Sequence, residues 1–216
     1  MKPAKLWRAF RKEGIRGIGI HIKNRMYIKI NIYQLDFSIQ KYFHFEPSPL
    51  TNMELVIMNK ESYHQMIRCY GSEIPEEEQQ KLRKRMEPDS TDRVYLLVDQ
   101  HHQVLGFYCV SYGENYDEEI NYRFKNQPGK VLLFDAYTFK EHRRKGAQTL
   151  VAQKILQRVK EDGYKTAIVM IDEGNEYSKR ATVKCGFIKC GEVHHINLGV
   201  VKKNFERNFI LNRNDG

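Results

Sequence analysis

The sequence predicts a mixed α/β chain, and three patterns carry that prediction. Two β-rich runs, 93–99 and 103–112, are separated only by Gln100-His101-His102, a spacing that makes an antiparallel hairpin. A strand-like run at 131–139, an amphipathic helix opened by Gly146 and an apolar run at 165–172 follow one another directly, which makes a βαβ crossover with parallel strands. Far upstream, Tyr27 to Phe37 (YIKINIYQLDF) alternates apolar and polar residues as a half-buried strand does.

The elements follow in order. Leu6, Trp7 and Phe10 fall at helical spacing among lysines and arginines, so a short basic helix is expected over 4–12, broken by Gly14, Gly17 and Gly19. The strand near 27–37 comes next, and Glu46-Pro47-Ser48-Pro49 reads as a stiff connector. The chain is therefore expected to divide into a basic N-terminal arm, 1–49, and a main domain, 50–216. In the main domain a strand is expected at 53–58, a helix at 61–70 and a helix at 75–86. Pro75 and the glutamates 76–78 suit the first turn of that second helix.

Residues 113–130 are polar and acidic and read as a loop, ended by Pro128-Gly129. Leu150, Val151, Ile155, Leu156 and Val159 form one stripe on the helix that runs from Gly146 to Gly163. A further helix is expected near 175–184, before Gly186-Phe187. The segments from 188 to about 210 read as a closing antiparallel pair.

Composition narrows the function. The net charge is +9, and within residues 1–30 nine cations stand against Glu13 alone, so +8 of it lies in the arm. An anionic partner is expected to meet residues 2–29 rather than the whole surface, as nucleic acid or a membrane surface would. The alternative is an arm that packs on its own domain or forms a homodimer. No apolar run is long enough for a transmembrane segment, and the first residues lack the apolar core of a secretory signal, so a cytoplasmic protein is expected, with membrane contact limited to the periphery. Cys69, Cys109, Cys185 and Cys190 form no C-x-x-C pair and read as reduced thiols. The pairs His101-His102 and His194-His195 read as surface histidines near turns, and no metal site is expected.

The most informative stretch is Arg143-Arg144-Lys145-Gly146-Ala147-Gln148, where a strand becomes a helix. Backbone N–H groups at a helix N-terminus lack partners and the dipole is positive there, so a phosphate is favoured. Gly146 permits a close backbone approach, and three cations add attraction. The plain alternative is a solvated basic helix start.

This stretch resembles the acyl-CoA signature of the GNAT superfamily (Gcn5-related N-acetyltransferases), [Q/R]-x-x-G-x-[G/A]. Arg143 and Gly146 match, and Gln148 stands where the family has a small residue. Asn175-Glu176-Tyr177-Ser178, followed by Lys184-Cys185-Gly186-Phe187, resembles the family's N-x-x-[S/A] and its closing Gly-Phe. The resemblance covers residues 53–200. It implies a mixed, mostly antiparallel central sheet with helices on both faces, splayed between its parallel fourth and fifth strands, here 131–139 and 165–172. The strand and helix of the N-terminal arm are added to that core.

It also implies acetyl-CoA, or another acyl-CoA, as cosubstrate. The backbone of Tyr137, Thr138 and Phe139 would pair with pantetheine as an added strand would. Arg143, Arg144, Lys145, Gly146, Ala147, Gln148 and Thr149 would hold the pyrophosphate, and Asn175 and Ser178 would line the cofactor's arm, a role compatible with Asn175 as helix cap. Acyl transfer to an amine needs a base, and Asp135 is the candidate because it interrupts a strand that is otherwise nearly all apolar and so is expected in a buried setting; a structural ion pair is the alternative. Where many members carry a tyrosine before Gly-Phe this chain has Thr182, which leaves Tyr177 or Tyr137 as substitute acids.

The implied activity is N-acyl transfer to an amine-bearing substrate by direct ternary-complex transfer. An amino or nucleotide sugar, a small amine or amino acid and a protein amino group all remain open as acceptors. Glu114, Asp117, Glu118 and Glu119 are placed to attract a cationic one. Two alternatives stand beside it: an acyl-CoA-binding regulatory protein without chemistry, favoured by Gln148 and Thr182, and an arm-mediated nucleic-acid or membrane-surface binder.

Overall fold

The computed structural model describes residues 26–39, 50, 52–125, 127–199 and 201–208. The helix expected at 4–12 and the connector at 46–49 lie outside the described residues. The described strands are β1 (Tyr27–Asp36), β2 (Glu54–Ile57), β3 (Asp92–Val98), β4 (Val104–Ser111), β5 (Asn115–Asp117), β6 (Tyr122–Phe124), β7 (Lys130–Thr138), β8 (Thr166–Asp172), β9 (Ile188–Asn197) and β10 (Lys202–Asn208). The helices are α1 (Lys60–Tyr70), α2 (Glu76–Arg85), α3 (Ala147–Glu161) and α4 (Glu176–Lys184). Local chemistry sets their ends. Asn59 accepts a bond from the Ser62 amide at 2.9 Å while Ser62 Oγ accepts one from the Asn59 amide at 2.9 Å, a capping box that starts α1. Three glutamates open α2 and Arg83, Lys84 and Arg85 close it, as its dipole favours.

Eight strands form one sheet in the order β10-β9-β1-β8-β7-β4-β3-β2, antiparallel throughout except at β7–β8. The fold class expected from sequence is present: a mixed, mostly antiparallel sheet with helices on both faces. The sequence places the strand near 27–37 in an N-terminal arm. Instead β1 lies inside the sheet, hydrogen-bonded to β8 on one side and β9 on the other. Its polar positions are covered too, Asn31 being only 1% exposed, so its alternating pattern marks an interior strand with polar partners. Because β1 and the β5–β6 hairpin precede it, the parallel pair is the seventh and eighth strand in chain order.

On one face α3 packs Val151, Ile155 and Val159 against Tyr108, Leu133 and Val169. On the other, α1 and α2 cover Leu96, Phe107 and Phe139 with Met66, Tyr70 and Leu82. Beside them, Ile120 from the β5–β6 hairpin shields Ile30, Leu132, Ile168 and Val193. The sequence gives 113–130 as a loop because three-residue strands carry too little alternation to be read.

The parallel ladder runs from Lys130↔Thr166 to Leu133↔Val169 and ends there, although both strands continue. Just beyond, Phe107 faces Tyr137 while Cys109 faces Phe134, so Asp135 and Ala136 together oppose the single residue Tyr108. This is a β-bulge, and Asp135 occupies it with φ of 47°. A bulge bends its strand, so β7 turns away from β8 where their pairing stops.

Candidate active site

Beyond β7 a 3₁₀ turn, Lys140–His142, leads into Arg143–Gly146 and then α3. Arg144 and Gly146 both take left-handed backbone, at φ of 63° and 83°. Gly146 is the N-cap of α3, no side chain caps that end, and a Cβ built on Gly146 would meet nothing within 4 Å. The amides of Ala147, Gln148 and Thr149 stand in a first turn that offers them no carbonyl. An open, uncapped helix end flanked by exposed Arg144 and Lys145 fits a diphosphate. The turn is not filled by its own side chains: Ala147 is packed into the core, and the Gln148 amide swings to Ser178 Oγ at 3.4 Å.

Other predicted cofactor residues are differently engaged. Arg143 folds back onto the end of β7, with Nε donating to the Thr138 carbonyl at 2.9 Å and its guanidinium over the Tyr137 ring at 5.4 Å. It braces the strand and does not project along the helix end. The Phe139 amide donates to the Leu105 carbonyl at 3.1 Å, and its ring is 0% exposed, stacked on Tyr70 at 3.9 Å. Phe139 is thus a core residue, and its backbone N–H is not free for pantetheine. Asn175 caps α4 by accepting from the Ser178 amide at 3.1 Å, which sets both residues in the first turn of that helix.

The candidate acids are not brought together. Tyr177 is 75% exposed, with the Arg180 guanidinium over its ring at 5.1 Å. The Tyr137 hydroxyl donates towards Glu73 at 3.3 Å and accepts from Arg143 at 3.2 Å, on the face covered by α1 and α2. Thr182, at the family's tyrosine position, is buried in the core. His195 also departs from the sequence reading: it lies within β9, is buried, and its Nδ1 is 2.6 Å from Asn204 Oδ1.

On that same face a cleft of about 520 Å³ opens between α2 and the β5–β6 hairpin, with Leu132, Phe134 and Met170 in its lining. Its floor therefore lies where β7 and β8 cease to pair. Asp135 lines it with a side chain 44% exposed, and Arg85 Nη2 is 2.5 Å from its Oδ2. The buried acid expected from the apolar strand is instead a half-exposed, ion-paired acid, because the bulge breaks the alternation that would have sent it inward. Glu114, Asp117, Glu118 and Glu119 form the opposite wall.

Two sets of residues escaped the sequence reading. Arg85, fifty positions from Asp135, is one. The other braces the turn before the helix end: the Tyr70 hydroxyl donates to Glu141 Oε1 at 2.6 Å, Gln103 Nε2 donates to both, and His142 Nε2 lies 2.9 Å from the same carboxylate oxygen. Burial and the bond to Glu141 push the Tyr70 hydroxyl up to about 12, and the bond from Tyr70 holds Glu141 below the usual carboxylate range. No local pattern signals either set, since the partners are distant in sequence. Among the described residues no three His, Cys, Asp or Glu side chains gather as a metal site, and no helix is long and apolar enough to cross a membrane.

The family model for the acetyltransferase (GNAT) family matches residues 60–187. No curated protein matches the chain. Among solved structures, a functionally unknown conserved protein from Staphylococcus epidermidis superposes with a TM-score of 0.54 at 10% identity, over 89% of this chain and 67% of that one. A tandem GNAT protein from the clavulanic acid biosynthesis pathway gives 0.52 at 16% identity, over 75% and 50%. A GCN5-related N-acetyltransferase from Kribbella flavida gives 0.50 at 12% identity, over 82% and 62%. At these identities the likeness is one of fold, and this chain spans half to two thirds of those proteins.

Proposed function

This chain belongs to the GNAT acetyltransferase family, and from that premise we propose that it moves an acetyl group from acetyl-CoA to the primary amine of a cationic acceptor within a ternary complex. One observation carries the reading. The parallel pair parts after Leu133 and Val169, an acid-walled cleft lies over the parting, and an uncapped helix end lies just beyond β7.

The amides of Ala147, Gln148 and Thr149, with Arg144 and Lys145, would hold the diphosphate. Asn175 and Ser178 would border the route from there towards the parting. Acetyl-CoA supplies a thioester whose thiolate is weakly basic and leaves without an obligatory acid. No general acid is therefore needed from the exposed Tyr177. The amine must lose its proton to attack, and Asp135 is the acid on the cleft floor that is placed to accept it, directly or through water.

The cleft's charge supports a choice among acceptors. Glu114, Asp117, Glu118 and Glu119 face Asp135 across it, while the cations Lys81, Lys84 and Arg85 stand on the α2 side. This field favours ammonium groups and disfavours phosphate, so an amino sugar, a small polyamine or a lysine-like amine fits better than a nucleotide sugar. Free thiols on the described cysteines support a cytoplasmic setting.

The test is thiol release from acetyl-CoA over a panel of amines. Release with multiply charged amines, weakened by salt, is the expected result. A melting shift with acetyl-CoA but no release for any amine would support binding without turnover, the rival favoured by Gln148 and Thr182. The proposed anionic-surface contact and homodimer of the arm are tested by deleting residues 1–26, which stops short of β1. Unchanged vesicle and RNA binding and an unchanged oligomeric state would dismiss both.

A further inference from the structure

Arg85 ends α2 and lines the cleft, its side chain only 12% exposed. Its contacts converge. Nη2 meets Asp135 Oδ2 at 2.5 Å, Nη1 donates to Cys109 Sγ at 3.2 Å, Nε lies 3.8 Å from Asp92 Oδ2, and the guanidinium sits over the Phe134 ring at 4.6 Å. Burial pushes the Cys109 thiol up to about 12, so Cys109 presents a neutral acceptor. One guanidinium thus touches β3, β4 and, in β7, Phe134 and the bulge residue Asp135.

Asp135 needs such a hold. It is a non-glycine residue in left-handed backbone, at the bulge where β7 leaves β8. A short exposed carboxylate there would sample several rotamers. The guanidinium donates to Oδ2, which leaves Oδ1 as the atom available to an incoming group.

From this geometry we infer that Arg85 is a positioning residue for the acyl acceptor: it fixes the Asp135 carboxylate on the cleft floor, so that the acceptor's ammonium meets it in one orientation. The inference rests on the acyl-transfer reading and adds to it the residue that orients Asp135. Arg85 acts through Asp135, so its removal should weaken acceptor binding and leave the cofactor end untouched.

The experiment uses the full chain, acetyl-CoA and the best amine of the panel, with Arg85→Met, Arg85→Lys, Asp135→Asn and the Asp135→Asn/Arg85→Met double variant. Coenzyme A binding is followed by calorimetry and integrity by thermal melting. Arg85→Met is expected to raise the amine KM by about tenfold or more with kcat within about threefold, and Arg85→Lys to recover part of the loss. Asp135→Asn should raise the amine KM at least as much and, because it also removes the proton acceptor, lower kcat by about 100-fold or more. The amine KM of the double variant should be no worse than that of Asp135→Asn, since the two act on one contact. Coenzyme A affinity should stay unchanged.

An unchanged KM in Arg85→Met, multiplying defects in the double variant, or an equal loss of coenzyme A affinity would each overturn the role. If Arg85→Met does not fold, Arg85→Lys and its combination with Asp135→Asn complete the same cycle. A native chain that releases no thiol with any amine overturns the acyl-transfer reading, and this role with it. That failure is distinct because it is seen before any variant is made.

Discussion

The side-chain amide of Gln148, in the first turn of α3, donates to the hydroxyl of Ser178, in the first turn of α4, at 3.4 Å. The contact bridges the two helix ends between which the cofactor's arm is proposed to pass. If coenzyme A enters there the contact must open, and a net hydrogen bond is worth about 0.5–1.5 kcal/mol. Gln148→Ala should therefore tighten coenzyme A binding by about 2- to 10-fold, read by titration calorimetry. Weaker binding would mean that Gln148 instead donates to the diphosphate.

Gly146 and Gly163 mark the two ends of α3 and form a matched pair. Both are left-handed, at φ of 83° and 86°, and a Cβ on either meets nothing within 4 Å. Alanine at each should cost about 1 kcal/mol in backbone strain, a melting shift of about 2–4 °C for a chain of this size. Only Gly146→Ala places a methyl where the diphosphate is proposed to approach. It should weaken coenzyme A binding about tenfold or more while Gly163→Ala leaves it unchanged, a difference of about 1.4 kcal/mol.

These two predictions use what the sequence shows best. Gly146, the stripe of α3 and the apolar run of β8 are local patterns, and local patterns specify helix starts and strand cores. What the sequence hid is non-local. The alternation at Tyr27–Asp36 announces a strand but not that β8 and β9 flank it, because strand partners are chosen by tertiary packing. Asp135 stood out as an acid in an apolar strand. Its exposure followed from a bulge, which depends on the register against β4, and its partner Arg85 lies on a helix fifty residues away. Phe139 fell in the right segment, but its amide was committed to Leu105 by the same register.

Glu192 should make stability depend on acid. It is buried in β9 and meets Lys189 at 2.6 Å, Lys29 at 2.8 Å and His194 at 3.1 Å. The hydrogen bonds from Lys189 and Lys29 hold its carboxyl down at about 2, against an ordinary 4.5. A carboxyl depressed in the folded state stabilises the fold above its unfolded value, and that contribution is lost as pH falls towards the folded value. The native chain should thus lose stability between about pH 4.5 and 2. In Glu192→Gln the same interval of the denaturation profile should be flatter, with lower stability at pH 7. An unchanged acid slope would show that other carboxyls dominate.

Gly106 offers the sharpest test of how the cleft floor is held. It lies in β4 opposite Thr138, and a Cβ there would stand 2.3 Å from the Tyr137 carbonyl oxygen and 3.1 Å from Thr138 Cα. Both obstacles are backbone, so the strain cannot be relieved by turning a side chain. β7 must move away from β4 between the Asp135 bulge and the Phe139–Tyr70 stack. Overpacking of this kind costs about 1–3 kcal/mol, or a melting shift of about 2–12 °C for a chain of this size. Gly106→Ala should therefore destabilise the fold more than Gly146→Ala does. Because the displaced strand carries Asp135, it should also raise the amine KM, with coenzyme A affinity changed less. Native-like stability in Gly106→Ala, measured by denaturant titration, would mean that β4 and β7 do not approach as closely there as the register requires.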